Sequence, residues 1–147
     1  DPMPMKDARA AWSENKRQLL DGADVVFLDP DNGLGDGGAK HATNPEIRRL
    51  RKPGRAVIFI TFPGRSRHQD LVGQLHQRLV SEAGANRLLT LRTNVSVPRA
   101  PGSPYVVQRQ RWFTIVDPTA TLVARANDFA ERLAALPRAR AVVDFHG

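Results

Sequence analysis

The spacing of apolar residues changes period along the chain, and each change marks an element. After an extended, proline-punctuated lead over residues 1–5, Ala8, Ala11, Trp12 and Leu19 are the apolar positions of a helix predicted over Asp7–Leu20 and ended by Asp21-Gly22. Asp24–Leu28 (DVVFL) is a short continuous apolar run, β-branched and aromatic, and reads as a strand buried on both faces. A glycine-rich loop runs from Asp29 to His41. Asn44-Pro45-Glu46 then opens a short helix with Asn44 as its cap, and Lys52-Pro53-Gly54 stops it. Ala56–Thr61 (AVIFIT) is a second buried strand and Phe62–Arg67 a loop. Gln69–Ala83 is an amphipathic helix through Leu71, Val72, Leu75, Leu79 and Val80, ended by Gly84.

Polarity alternates over Arg87–Val97, which predicts a third strand nearer an edge of the sheet. Pro98–Pro104 is a turn-rich excursion, and Val106–Val116 returns as a fourth strand. A helix is expected over Ala120–Leu136, ended by Pro137, with a last short strand over Ala141–Phe145. Strands alternating with helices predict an α/β sheet with helices on its faces. The expected architecture is a three-layer, Rossmann-like sheet, mostly parallel, with one antiparallel strand pair at its edge where a turn replaces a helix. No internal repeat or linker divides residues 1–147, so a single domain is expected.

Composition narrows the function classes. The chain has 147 residues and no cysteine, which excludes disulfides, thiolate metal sites and cysteine nucleophiles. That absence suits a reducing compartment, and the expected location is cytoplasmic. No apolar run is long enough to cross a bilayer, so no membrane partner is expected. The net charge of +7 favours an anionic partner. The charge is uneven: between Arg48 and Arg111 the only acids are Asp70 and Glu82, and nearly all the bases are arginine. Arginine forks match phosphate oxygens and stack on bases, so a nucleic acid or nucleotide is the expected partner. The bland alternative is a solvated face in an arginine-rich chain.

Candidate chemistry falls where apolar strands end, because open α/β sheets bind ligands at strand carboxyl ends. Asp29-Pro30-Asp31-Asn32-Gly33-Leu34 follows the first strand. Two carboxylates one residue apart could share a cation, raise one pKa or accept hydrogen bonds from a substrate amine, and Gly33 lets backbone approach a ligand. Each residue of Asp-Pro-Asp-Asn-Gly also favours a simple turn. After the second strand, Thr61 could bind phosphate or merely cap a turn, and Arg65, Ser66, Arg67 and His68 follow as candidate phosphate contacts. Asp117 follows the fourth strand. His41, His76 and His146 show no metal-ligand spacing, so no metal site is expected from them. Trp12 and Trp112 read as core residues.

These residues carry two resemblances. Asp29-Pro30-Asp31-Asn32 after an apolar strand resembles the Asp/Asn-Pro-Pro-Tyr/Phe motif of class I S-adenosylmethionine-dependent methyltransferases that modify exocyclic amines of bases. The chain is more specifically similar to a poorly characterised bacterial family with an Asp-Pro-Asp-Asn-Gly-Leu motif. There the motif follows an Arg-x-x-Trp helix (here Arg9 and Trp12) and an ADVVFL strand, with a Glu-Ile helix (Glu46, Ile47) after it. Members of that family look like distant relatives of ribosomal RNA adenine methyltransferases. The resemblance covers most of residues 8–136. It implies that Asp29 and the Pro30 carbonyl hold a target amine and that Asp31 and Asn32 orient it. It further implies that Gly33, Thr61, Arg65, Arg67 and His68 serve substrate or phosphate, with S-adenosylmethionine as cofactor. Asn32 stands in the aromatic position and Asp31 in that of the second proline. The cofactor-binding half expected before Asp24 has no counterpart here. The chain therefore resembles a carboxyl half, either part of a longer polypeptide or lacking the cofactor site.

The second resemblance is to haloacid-dehalogenase-type phosphatases. It implies Asp29 as nucleophile, Asp31 as acid/base, Thr61 on phosphate, Arg65 or Arg67 in place of the lysine, and Asp117 on magnesium. A non-catalytic nucleic-acid-binding module is the third expectation.

Overall fold

The computed structural model describes residues 8–36, 38, 40–64 and 67–147. The elements run α1 (Arg9–Leu19), β1 (Val25–Leu28), α2 (Asn44–Leu50), β2 (Ala56–Thr61), α3 (His68–Ala83), β3 (Leu88–Pro98), β4 (Val106–Val116), α4 (Ala120–Ala134) and β5 (Ala139–His146). The strands form one five-stranded sheet in the order β1-β2-β4-β3-β5. The fold is thus mixed α/β, with a five-stranded sheet and helices α1–α4.

The expectation of a mostly parallel sheet is corrected. Only β1 and β2 pair in parallel; β4 is antiparallel to both β2 and β3, and β5 is antiparallel to β3. The cause is the tight turn after β3. A turn returns the chain antiparallel, and β4 then inserts between β2 and β3 rather than adding at an edge. β3 is therefore interior, contrary to its alternating sequence, with Leu88, Leu89 and Thr90 fully buried. The last strand is longer than its apolar run suggests, spanning Ala139–His146 against β3.

Strand alternation divides the core in two. Val57, Phe59, Leu88 and Val116 face Ile47 and Leu50 of α2 and Leu79 and Ala83 of α3, with Val26 of β1 completing the cluster. Ala56, Leu89, Leu91 and Ile115 face the other way, onto Ala126 and Ala130 of α4. Helices thus flank both faces. β1 is one of the two edge strands, opposite β5, and α4 does not cover it. Val25 and Phe27 remain 46% and 52% exposed, so β1 is buried on one face rather than both.

The helix termini follow their sequence signals with one shift. Thr43, not Asn44, is the cap of α2: its hydroxyl accepts from Glu46 N, and the Glu46 carboxylate accepts from Thr43 N. This reciprocal box satisfies donors that a lone Asn cap would leave open. Gly84 caps α3 in the left-handed conformation. On α1 the expected apolar face is reversed. Ala8, Ala11 and Leu19 are exposed, Trp12 is half-buried, and Arg9 and Ser13 are the buried positions. The reason is electrostatic. Arg9 Nε and Nη2 donate to Glu46 Oε1 and Oε2 at 2.6 and 2.9 Å, which turns that side of the helix inward.

Several arginines of the basic stretch are likewise structural. Arg55 is 2% exposed and donates to the carbonyls of Leu20, Asp21, Ala23 and Leu50, stitching the α1–β1 connection to the end of α2. Arg51 clasps Asp117 (2.5 and 3.2 Å) and the carbonyls of Ala83 and Gly84. Arg92 clasps Asp144 on β5 at 2.6 and 3.1 Å.

Candidate functional site

The carboxyl ends of β1 and β2 lie side by side because the two strands are parallel and in register, Leu28 opposite Phe59. The loop after β1 opens with a turn. Gly33 N donates to Pro30 O at a long 3.4 Å, and Asn32 N donates to Lys40 O at 2.9 Å. Gly33 N–H is therefore weakly held, and the Pro30 carbonyl keeps a lone pair for another donor. Asp29, Asp31 and Asn32 are exposed, while Pro30 is buried. Asp29 thus stays solvated although it follows an apolar strand. Lys40 Nζ approaches Asp31 Oδ2 at 3.8 Å, in a solvated pair.

The rest of this loop is anchored at its far end. Gly35 N and Ala42 O, and Ala42 N and Gly33 O, bond at 2.9 Å. Arg9 donates to the carbonyls of Gly38 and His41, and Arg78 Nη2 donates to Asp36 Oδ1 at 2.8 Å. The Arg78 guanidinium is held above its ordinary pKa chiefly by that Asp36 hydrogen bond.

The sequence-selected residues separate into neighbouring hollows. Asp29 and Pro30 line a pocket of about 350 Å³ between α1 and β1, together with Trp12, Lys16, Phe27 and His41. Trp12 Nε1 and His41 Nδ1 are buried without a hydrogen-bond partner among the described residues. Thr61 lines a second pocket of about 210 Å³ with Leu34, Gly64, Gln74, Arg78 and Trp112, and its Oγ1 also lacks a partner among the described residues. His68 opens α3, stacks edge-on against Trp112 at 5.3 Å and can donate from Nε2 to Gly64 O at 3.3 Å. It belongs to a third hollow, on β3, β4 and β5. Arg67 is exposed at the start of α3. Arg65 and Ser66 lie outside the described residues.

Asp117 is not with them. Because β4 runs antiparallel to β2, its carboxyl end meets the amino end of β2, Val116 opposite Val57. That places Asp117 roughly 17 Å along the strands from Thr61, where Arg51 holds it. It is too far to share a cation with Asp29. Among the described residues no group of three His, Cys, Asp or Glu side chains could hold a metal.

Sequence reasoning missed Trp12, Phe27 and His41 as neighbours of Asp29. The Arg-x-x-Trp spacing was the available signal. It places Trp12 one turn from Arg9, whose pairing with Glu46 fixes α1 against the loop. His76 and His146 also meet, with ring centroids 6.1 Å apart, a contact invisible in their spacing.

No protein-family model matches the chain, and no curated protein matches it.

Proposed function

We propose that this chain is a methyltransferase-like protein acting on an amine of a nucleic acid or nucleotide, with the Asp29–Asn32 loop as the target-amine site. The carrying observation is the placement of Asp29 and Pro30 in one pocket with Trp12 and Phe27. A carboxylate and a prolyl carbonyl accept hydrogen bonds from an exocyclic amine, and an aromatic face holds the heterocycle that carries it. Asn32 lacks a ring, and Trp12 supplies one from α1. The buried indole Nε1–H, unpartnered among the described residues, adds a donor suited to a ring nitrogen or carbonyl.

The finer fold reading, a Rossmann-like carboxyl half of the methyltransferase type, belongs to this proposal. It is supported by the parallel β1–β2 pair followed by strands that close antiparallel. The open edge of β1 is where such a sheet would continue.

The donor set in this pocket, a carboxylate and a prolyl carbonyl beside the Trp12 and Phe27 rings, suits a target amine on a heterocycle. S-adenosylmethionine, when bound, supplies an electrophilic methyl group. The chain's own contribution is positional. Asp29 accepts from the amine N–H and keeps the nitrogen lone pair pointed away from the carboxylate, and the Pro30 carbonyl fixes the second N–H. The exposed Asp29 carboxylate also gives the released proton a path to solvent.

Calorimetric titration of S-adenosylhomocysteine, paired with transfer of labelled methyl groups to a single-stranded oligonucleotide, tests the reading. Saturable binding, with transfer lost in Asp29→Ala, is expected. Transfer that survives Asp29→Ala, or no binding and no transfer, overturns it.

A further inference from the structure

β3 and β4 continue beyond the end of β2. Thr61, the last residue of β2, pairs with Trp112, while β4 runs on to Val106 and β3 to Pro98. The hairpin therefore projects past the strand ends that carry the candidate site. From Leu88 to Val116 the sequence contains no acid. Of its arginines, Arg92 is held by Asp144, Arg109 and Arg111 pair with Val95 and Thr93 and so face away from Asn94, and Arg99 is exposed at the tip.

The face of this projection beyond the start of α3 is polar and open. Cross-strand partners share a face, so Asn94 stands beside Gln110 of β4 and Arg140 of β5, and Arg92 beside Trp112. These side chains and His68 line a hollow of about 250 Å³ whose described walls hold no carboxylate. Asn94 Oδ1 is buried there without a hydrogen-bond partner among the described residues. Next along the strands, Gln108 Nε2 donates to Ser96 Oγ at 2.7 Å, and at the tip Tyr105 is 73% exposed beside Arg99.

We propose that this face of β4, β3 and β5 is a docking surface for single-stranded nucleic acid, with the Asn94–Gln110 hollow receiving one base. It rests on the reading of the substrate as nucleic acid and locates where that substrate lies. Three features favour this partner. Asp144, the acid on this face, is neutralised by Arg92, so the free charge is that of exposed Arg140 and, at the tip, Arg99, which complements a polyanion. The side-chain amides match base edges that only an unpaired strand exposes, and the unpartnered Asn94 carbonyl oxygen seeks a donor such as a base N–H. Tyr105 offers a ring on which a base can stack. A duplex buries those base edges and would engage the surface through phosphates alone.

Fluorescence anisotropy with a labelled, mixed-sequence single-stranded RNA of about 12 nucleotides, read across a salt series, tests the proposal. Arg99→Glu/Arg140→Glu changes exposed residues and is expected to weaken binding at least 10-fold. It is also expected to flatten the salt dependence by about 0.7 per lost phosphate contact. Asn94→Ala is expected to weaken binding several-fold with the salt slope unchanged. Arg125→Glu/Arg132→Glu on α4 makes the same charge change elsewhere and is expected to have a much smaller effect. The proposal is overturned if the α4 variant weakens binding as much as the hairpin variant, if a duplex of equal length binds as tightly as the single strand, or if no RNA binds. S-adenosylhomocysteine binding is read separately. Its absence with hairpin-dependent RNA binding intact overturns methyl transfer and supports the docking surface.

Discussion

Gly33 lies flat against Thr61: a Cβ added to Gly33 would stand 3.2 Å from the Thr61 Cα. This contact joins the loop after β1 to the end of β2, and Gly33 makes it at a φ of +76°, in the left-handed region. Gly33→Ala is expected to cost roughly 1–2 kcal/mol from backbone strain alone, with crowding against Thr61 adding to it. Urea denaturation would show a lower midpoint with an unchanged slope.

Asp29 is exposed, and no hydrogen bond or ion pair ties its side chain to the fold among the described residues. Asp29→Ala should alter stability by no more than about 0.5 kcal/mol while abolishing methyl transfer. RNA binding through the hairpin should be nearly unaffected. A thermal melt beside the transfer assay separates loss of chemistry from loss of fold.

Arg9 and Glu46 are each 8% exposed and bound through both guanidinium–carboxylate contacts. Removing one partner leaves the other charge buried. Glu46→Ala is therefore expected to destabilise by roughly 3–5 kcal/mol, and it also removes the reciprocal cap of α2. The β1 loop should loosen with it, because Arg9 holds the carbonyls of Gly38 and His41. Hydrogen exchange at the Gly35 and Ala42 amides would report that loosening.

His76 sits in a buried chain in which its Nε2 meets Thr90 Oγ1 at 2.8 Å, and Thr90 Oγ1 meets Thr114 Oγ1 at 2.9 Å. Burial pushes the His76 pKa down, the His146 ring adds to the shift, and Asp144 opposes it. The unfolded chain therefore binds a proton more readily than the folded one. Stability from this group is present above the ordinary histidine value of about 6.5 and is lost as pH falls from there toward the depressed folded value. The melting temperature should fall between about pH 7 and pH 5.5. His76→Gln, which keeps hydrogen-bonding capacity without titrating, should flatten that dependence.

The local elements were legible because they rest on short-range signals. DVVFL and AVIFIT are strands by composition and length, Asn44-Pro45-Glu46 marks the start of a helix although Thr43 rather than Asn44 caps it, and Gly84 ends one. The Asp-Pro-Asp-Asn-Gly turn was equally plain, and so was its place after a strand. α1 was misread because its buried face is formed by an ion pair, and hydrophobic periodicity carries no record of Arg9 meeting a carboxylate on another helix.

The sequence by itself determined where the chain is helix, strand and turn, and where its positive charge gathers. Only tertiary structure decided how those pieces meet. β4 inserts antiparallel between β2 and β3, which carries Asp117 to the far end of the sheet and extends the hairpin past the site. It also sorted the arginines: Arg51, Arg55 and Arg92 are consumed by carbonyls and carboxylates, while Arg99 and Arg140 stay exposed. Element type depends on neighbours a few residues apart. Strand order and arginine partners depend on contacts between residues as distant in sequence as Arg51 and Asp117, which no local pattern encodes.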